Sequence, residues 1–171
     1  KRAEAAGMEV VIVSSDKDML QLVNERVRML DPAKDDLIYD GEKVVEFMGV
    51  PPQAVPDLLA LKGDAIDNIP GAPGIGDKGA RSLISRFGSV EEAIARAAEV
   101  ERKTYRESLT VHADRIRMSK SLATLDCDIP IEFSAESVRA QEADTEALRR
   151  IFKELEFHSL LRELGPAADT R

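Results

Sequence analysis

Residues 62–80 read KGDAIDNIPGAPGIGDKGA, and the reading of this stretch decides the fold. Two carboxylates, Asp64 and Asp67, stand ahead of a glycine-rich turn, residues 71–76, that opens a helix near Asp77. Carboxylates three residues apart suit hard, oxygen-seeking cations such as Mg²⁺ or Mn²⁺. Gly74 and Gly76 leave backbone N–H groups uncovered just before the helix, and a helix N-terminus preceded by bare amides attracts phosphate. Pro73 stiffens the run, while the glycines permit positive φ and close approach. Metal ligands beside a phosphate cradle imply chemistry on phosphodiester bonds. Each feature alone has a plainer reading, the acids as turn residues and the glycines as a loop between two helices.

Upstream, Lys1 to Ala6 reads as the tail of a helix that Gly7 stops. Met8 to Val13 is apolar except for Glu9, which predicts a buried, parallel strand. Asp16 then opens a helix with Met19, Leu20, Leu22 and Val23 as its apolar positions, and short strands follow at Val27–Leu30 and Leu37–Tyr39. Asp16 and Asp18 thus lie just beyond the carboxyl end of a strand, where open α/β sheets gather ligands. A pair of this kind also serves as a helix cap and a first-turn charge.

Downstream the chain turns helical. Asp40 caps a helix that ends at Gly49, and Pro51-Pro52 starts another with Val55, Leu58, Leu59 and Leu61 inward. Ala80, Leu83, Ile84 and Phe87 form an amphipathic stripe over Asp77–Phe87, and Ser89 with Glu92 makes a capping box for the next helix. Further helices are expected near 101–110 and 112–125, then an extended segment at 128–133. A last long helix carries Leu148, Ile151, Phe152 and Leu155, and Gly165-Pro166 halts a final short one. The expected division is an α/β part over 1–50, a helical part over 51–165, and a linker over 166–171.

The 171 residues hold 43% apolar and 33% charged side chains, the balance of a globular protein with a real core. No apolar run approaches membrane-spanning length. The single cysteine, Cys127, excludes an internal disulfide and fits a cytoplasmic location. His112 and His158 lack partners at metal-ligand spacing, and no nucleophilic triad or nucleotide loop is present. The net charge of −8 opposes nucleic acid as a partner, yet residues 76–120 carry 10 basic against 7 acidic side chains. That excess begins at Lys78, Arg81 and Arg86, and a local basic face is what phosphate contact requires. With 4% aromatics and no Trp, a base-stacking platform is not expected.

The 62–80 stretch resembles the helix–three-turn–helix element of the 5′ nuclease (flap endonuclease) family. Residues 11–22, VIVSSDKDMLQL, are similar to that family's strand ending in an Asp-Lys-Asp pair. Residues 155–161, LEFHSLL, resemble the closing segment of the 5′ nuclease domain of bacterial DNA polymerase I. The likeness covers about residues 1–165 in order and spacing. It implies a PIN-like fold, a partial three-layer parallel sheet with helices, followed by a helical DNA-binding part. It further implies a 5′→3′ exonuclease and structure-specific flap endonuclease that hydrolyses phosphodiesters with two divalent ions about 4 Å apart. By resemblance Asp16, Asp18, Asp64 and Asp67 hold Mg²⁺ or Mn²⁺, while Gly74, Ile75, Gly76, Lys78 and Arg81 contact duplex backbone, with K⁺ at the turn.

The family carries Thr or Ser where this chain has Gly79, so a hydroxyl contact is lost. The implied partners are DNA next to a 5′ flap or nick and a polymerase domain in the same polypeptide. In the family further acids precede the segment matched here, so the 171 residues alone are expected to be inactive. They are also expected to self-associate through an exposed edge at residues 8–14. A non-catalytic duplex-binding module is the alternative reading.

Overall fold

The computed structural model describes residues 1–165; the expected linker, 166–171, lies outside them. The chain divides into two packed units, Lys1–Ile131 and Glu132–Arg171. The boundary expected at residue 50 runs inside the first unit, where sheet and helices share one core.

A single helical turn, α1 (Arg2–Ala5), ends at Gly7, whose φ is +81°. Three strands follow: β1 (Val10–Val13), β2 (Val27–Asp31) and β3 (Leu37–Tyr39), in the spatial order β1-β2-β3. β1 runs parallel to β2, with Val10 opposite Val27, as the apolar run predicts. β3 is antiparallel to β2, so the sheet is mixed rather than all parallel. The reason is local: Asp35 and Asp36 both adopt left-handed backbone, φ 51° and 57°, and turn the chain straight back.

Alternation along the strands sets the two faces of the sheet. Val27, Met29 and Tyr39 are buried on one face, against helices. Val11 and Val13 point the other way and are 54% and 67% exposed. The strand read as buried is therefore covered on one side among the described residues, because period-2 geometry sends alternate residues of an apolar run to opposite faces.

Between β1 and β2 the expected α-helix is a 3₁₀ helix, Lys17–Leu22. Asp16 causes the tightening: its side chain accepts the Asp18 N–H at 2.9 Å, which closes the first turn around two residues. Leu20 still reaches the core and is fully buried.

The helices begin with α2 (Gly41–Met48), capped by Asp40 on the Lys43 amide and closed by Gly49 in left-handed conformation. α3 (Val55–Lys62) is buried from Val55 through Leu61, including Asp57. It packs against α4 (Asp77–Phe87) and α7 (Ala113–Ala123), with α5 (Val90–Ala95) and α6 (Lys103–Val111) completing the bundle. A helix apolar all round belongs at the centre of a bundle. Its charged residue is matched: the Asp57 carboxylate accepts the Val90 N–H at 2.9 Å and lies 2.8 Å from Lys120 Nζ.

Residues 125–134 form no strand, consistent with Pro130 among them. The second unit holds α8 (Thr145–Glu154), capped by Asp144, and α9 (His158–Glu163). Phe152 and Phe157 meet there at 6.2 Å between ring centres. Among the described residues no helix is long and apolar enough to cross a membrane.

Candidate metal centre

The acidic loop after α3 is built by its backbone. Asp64 and Ile69 exchange two hydrogen bonds, N–H to O at 2.9 and 2.8 Å, closing a tight loop over residues 64–69. Inside it the Asp64 side chain accepts the Ile66 N–H at 2.9 Å, and Asn68 takes a left-handed φ of 57°. Below the loop, Gly63 and Gly71 press backbone against backbone. A Cβ on Gly71 would lie 2.5 Å from the Gly63 nitrogen, and Gly71 also has a φ of +63°. The Gly71 N–H is anchored on the Ser119 hydroxyl of α7 at 3.2 Å. These constraints fix where Asp64 and Asp67 point.

They point at Asp18. Carboxylate oxygens of Asp18, Asp64 and Asp67 all lie within 4.8 Å of one another, although 46 residues separate Asp18 from Asp64. Asp64 is buried, Asp18 nearly so, and Asp67 half exposed. Oδ1 of Asp18 is buried with no hydrogen-bond partner. An orphaned anionic oxygen among other carboxylates is a donor set for Mg²⁺ or Mn²⁺. Asp16 falls outside this group: one of its oxygens is committed to the Asp18 amide, and the side chain lines the adjoining hollow with Asp67.

Lys17 lies between Asp16 and Asp18, where residue type alone indicates no role for it. Its Nζ lies 2.5 Å from Asp64, 3.7 Å from Asp67 and 3.8 Å from Asp18. The alternation Asp-Lys-Asp is visible in the sequence, but only the short 3₁₀ turn shows the lysine aimed inward with Asp18. The charges respond to this arrangement. Burial pushes the Asp18 carboxyl up, with Lys17 only partly offsetting it. Burial acts the same way on Asp64, but hydrogen bonds from Lys17 and the Ile66 amide outweigh it and hold that carboxyl below its ordinary range. Lys17 is held above its usual value, since its carboxylate partners outweigh the opposing effect of burial.

A further acid missed in the sequence closes the same hollow, about 410 Å³ in volume. Asp31, 2% exposed at the end of β2, accepts the Ser15 hydroxyl at 2.5 Å and the Ala33 N–H at 3.1 Å. These bonds, with Lys34 at 3.4 Å, keep its carboxyl low despite burial. Lys34 also donates to the Tyr39 hydroxyl at 2.8 Å and sits 4.4 Å from the centre of the Phe47 ring. The signal in the sequence was position: Asp31 ends a strand on the same sheet edge as Asp16.

The glycine turn keeps an exposed rim. Gly74, with φ +77°, and Gly76 are exposed, as is Lys78, whereas the Ile75 side chain is buried in the core. Ile75 therefore anchors the turn, and only its backbone is available to a phosphate. No side chain caps the α4 N-terminus among the described residues, which leaves its first amides without a side-chain acceptor. Arg81 is turned to its own helix: Nε lies 2.8 Å from the Asp77 carboxylate, out of line for a hydrogen bond, in an ion pair that neutralises the first-turn acid. Gly79 is covered by the Tyr105 ring, whose hydroxyl stands where a Cβ would go and accepts from Arg102 at 2.8 Å. Much of the local basic excess is likewise paired, Arg96 with Glu99, Lys103 with Glu107 and Arg117 with Asp114.

Comparison with known proteins bears on this arrangement. Residues 1–49 match the family described as 5′-3′ exonuclease, N-terminal resolvase-like domain. Residues 50–146 match 5′-3′ exonuclease, C-terminal SAM fold. The two matches adjoin between residues 49 and 50. The chain is similar to DNA polymerase I of Rhizobium leguminosarum, 38% identical over 99% of this chain and 16% of that protein. It is similar to the 5′-3′ exonuclease of Aquifex aeolicus, 37% identical over 92% of this chain and 53% of that one. The chain thus spans about a sixth of the first relative and about half of the second. Its fold is similar to bacteriophage T5 D15 flap endonuclease in a pseudo-enzyme-product complex with DNA and metal ions. That structure aligns with TM-score 0.63 and 23% identity over 71% of this chain and 46% of the other.

Proposed function

The chain belongs to the 5′-3′ exonuclease family, and from that premise we propose that it supplies the metal-holding loop and the duplex grip of a 5′ nuclease. The activity is structure-specific 5′→3′ exonuclease and flap endonuclease cleavage of DNA, carried out in replication and repair within a DNA polymerase I polypeptide. A cytoplasmic location goes with that work. The observation that carries this reading is the convergence of Asp18, Asp64 and Asp67 around a buried carboxylate oxygen that no hydrogen bond satisfies. The donor set fits Mg²⁺ or Mn²⁺, which take carboxylate oxygens and keep several waters. Such ions, when bound, activate a water and steady the departing oxygen of a phosphodiester.

The chain's own residues do the rest. Asp18, Asp64 and Asp67 hold the cation, the Ile66 amide and the 64–69 backbone bridge fix the Asp64 oxygens, and Asp16 adds a negative charge to the adjoining hollow, which Asp31 and Asp67 also line. The amides of Gly74 and Gly76, the open α4 N-terminus and the exposed Lys78 receive duplex phosphates. Arg81 serves by neutralising Asp77, which would otherwise repel them. Contacts of this kind read the backbone and not the bases, so binding selects DNA shape. A K⁺ ion at the turn would rely on main-chain carbonyls, since Gly79 brings no hydroxyl.

Asp64→Asn tests the reading. It is expected to abolish Mn²⁺ binding to this chain and to lower 5′-flap cleavage by the full-length protein about 100-fold or more. Lys78→Ala is expected to weaken binding to flapped duplex about threefold to tenfold, equally across sequences. Mn²⁺ binding and cleavage untouched by Asp64→Asn would sink the proposal. DNA binding in a full-length protein that never cleaves would favour the non-catalytic module.

A further inference from the structure

We propose that Lys17 is a resident counter-cation of the carboxylate cluster, and that a divalent ion loads by exchanging with its ammonium group. The inference rests on reading Asp18, Asp64 and Asp67 as cation ligands, and it concerns a residue that the reading leaves without a role.

The geometry is that of a substitute ion. The Lys17 ammonium is in contact distance of Asp64 at 2.5 Å and within 3.8 Å of both other acids, so it lies in the volume their oxygens enclose. Asp64 divides its oxygens between two partners, Oδ1 to the Ile66 amide and Oδ2 to Lys17. A metal taking Oδ2 of Asp64 must take it from Lys17. Two cations placed this close repel one another, and the three carboxylates that attract the metal are the ones the ammonium faces. Exchange therefore follows from the placement of the group.

The residue type suits the task. An ammonium is a compact point charge on a flexible stem, whereas guanidinium grips carboxylates through a planar fork. Lys17 is 29% exposed, so the side chain has a route outward that moves no backbone. It belongs to the same turn as Asp18, and the 3₁₀ helix that aims Asp18 inward aims Lys17 with it. Without a counter-charge, carboxylates this close repel one another, which would loosen the 64–69 loop. Lys17 thus keeps the ligands assembled between metal-loading events and sets a competitor that any ion must outbid in contacts. Soft or weakly charged ions gain too little from these oxygens to displace it, while a divalent oxygen-seeking ion does.

The test measures Mn²⁺ binding to this chain by calorimetry and by electron paramagnetic resonance of free Mn²⁺. Wild type, Lys17→Met, Lys17→Arg and Asp64→Asn are compared, with thermal melts in chelator and in saturating Mn²⁺. Lys17→Met is expected to bind Mn²⁺ about fivefold to tenfold tighter than wild type. It should also melt lower than wild type in chelator and gain more from Mn²⁺. Lys17→Arg keeps a cation in the cluster and is expected to bind no tighter than wild type. A folded Lys17→Met with unchanged or weaker Mn²⁺ affinity overturns the exchange, as does a Lys17→Arg that binds tighter. Should Lys17→Met fail to fold in chelator, Lys17→Gln replaces it with the same expected direction. These failures leave the metal site standing. Wild-type protein that binds no Mn²⁺, or binds it equally after Asp64→Asn, removes the site itself and the exchange with it.

Discussion

Gly71 and Gly74 both carry positive φ, +63° and +77°, but their surroundings differ. A Cβ at Gly71 meets the Gly63 backbone, whereas a Cβ at Gly74 meets nothing within 4 Å. Gly71→Ala is accordingly expected to cost about 2–4 kcal/mol, strain plus collision, and Gly74→Ala about 1 kcal/mol from strain alone. Urea unfolding of the two variants checks the order, and equal losses would refute it. Gly79 is a third case: its φ is ordinary, and Tyr105 is what excludes a side chain there. Gly79→Ser should cost about 1–3 kcal/mol, and a double-mutant cycle with Tyr105→Ala should show coupling of about 1 kcal/mol or more. The sequence marked these glycines as a turn, yet it gave no means to separate backbone demand from steric demand. That distinction depends on neighbours 8 and 26 residues away along the chain.

At the scale of elements, α3 shows how a helix legible from its apolar stripe can carry an unforeseen tie. Val55, Leu58, Leu59 and Leu61 were readable as its inner side, but Asp57 is equally buried. Its carboxylate joins α5 through the Val90 amide and α7 through Lys120, which also reaches Glu91 at 2.7 Å. Asp57→Ala leaves that amide and ammonium short of a partner and is expected to destabilise the bundle by about 2–3 kcal/mol.

The same tie predicts a pH response. Burial would raise the Glu91 carboxyl, but the Lys120 hydrogen bond outweighs it and holds the group below its ordinary 4.5. Its contribution is therefore complete above that value and is lost as the pH falls below it. Burial would lower Lys120, and its two carboxylate partners outweigh this and raise it above 10.5, so its contribution survives up to that value and is lost above it. Urea midpoints of wild type and Glu91→Gln should differ at pH 6 and draw together as the pH falls through the lowered Glu91 range, with a constant gap as the contrary result.

For the whole molecule, the sheet decides surface behaviour. Val11, Val13 and Ile38 lie 46–67% exposed on the face turned from the helices, and β1 pairs only with β2 among the described residues. An open edge beside an apolar face favours association between copies of this chain. Light scattering of the 171-residue chain is expected to show mass rising with concentration, and Val13→Lys to suppress the rise without loss of helical signal. A wild-type chain that stays monomeric at high concentration counts against it.

By itself the sequence determined what short-range chemistry controls. Period and capping gave α2 and α4 to the residue and placed α3 and α5 to α9 along the chain, and residue type marked the acid pairs and the glycine turn as candidate sites for cation and phosphate. Tertiary structure alone decided which of those groups meet. It joined Asp18 to Asp64 and Asp67, left Asp16 as a cap, set Lys17 in their midst, turned Arg81 onto Asp77 and filled the space above Gly79 with Tyr105. The physical reason is range. Hydrogen bonds within a turn and the stripe of a helix are written over three or four neighbouring residues. Charges and contacts between distant segments exist only after the chain has packed.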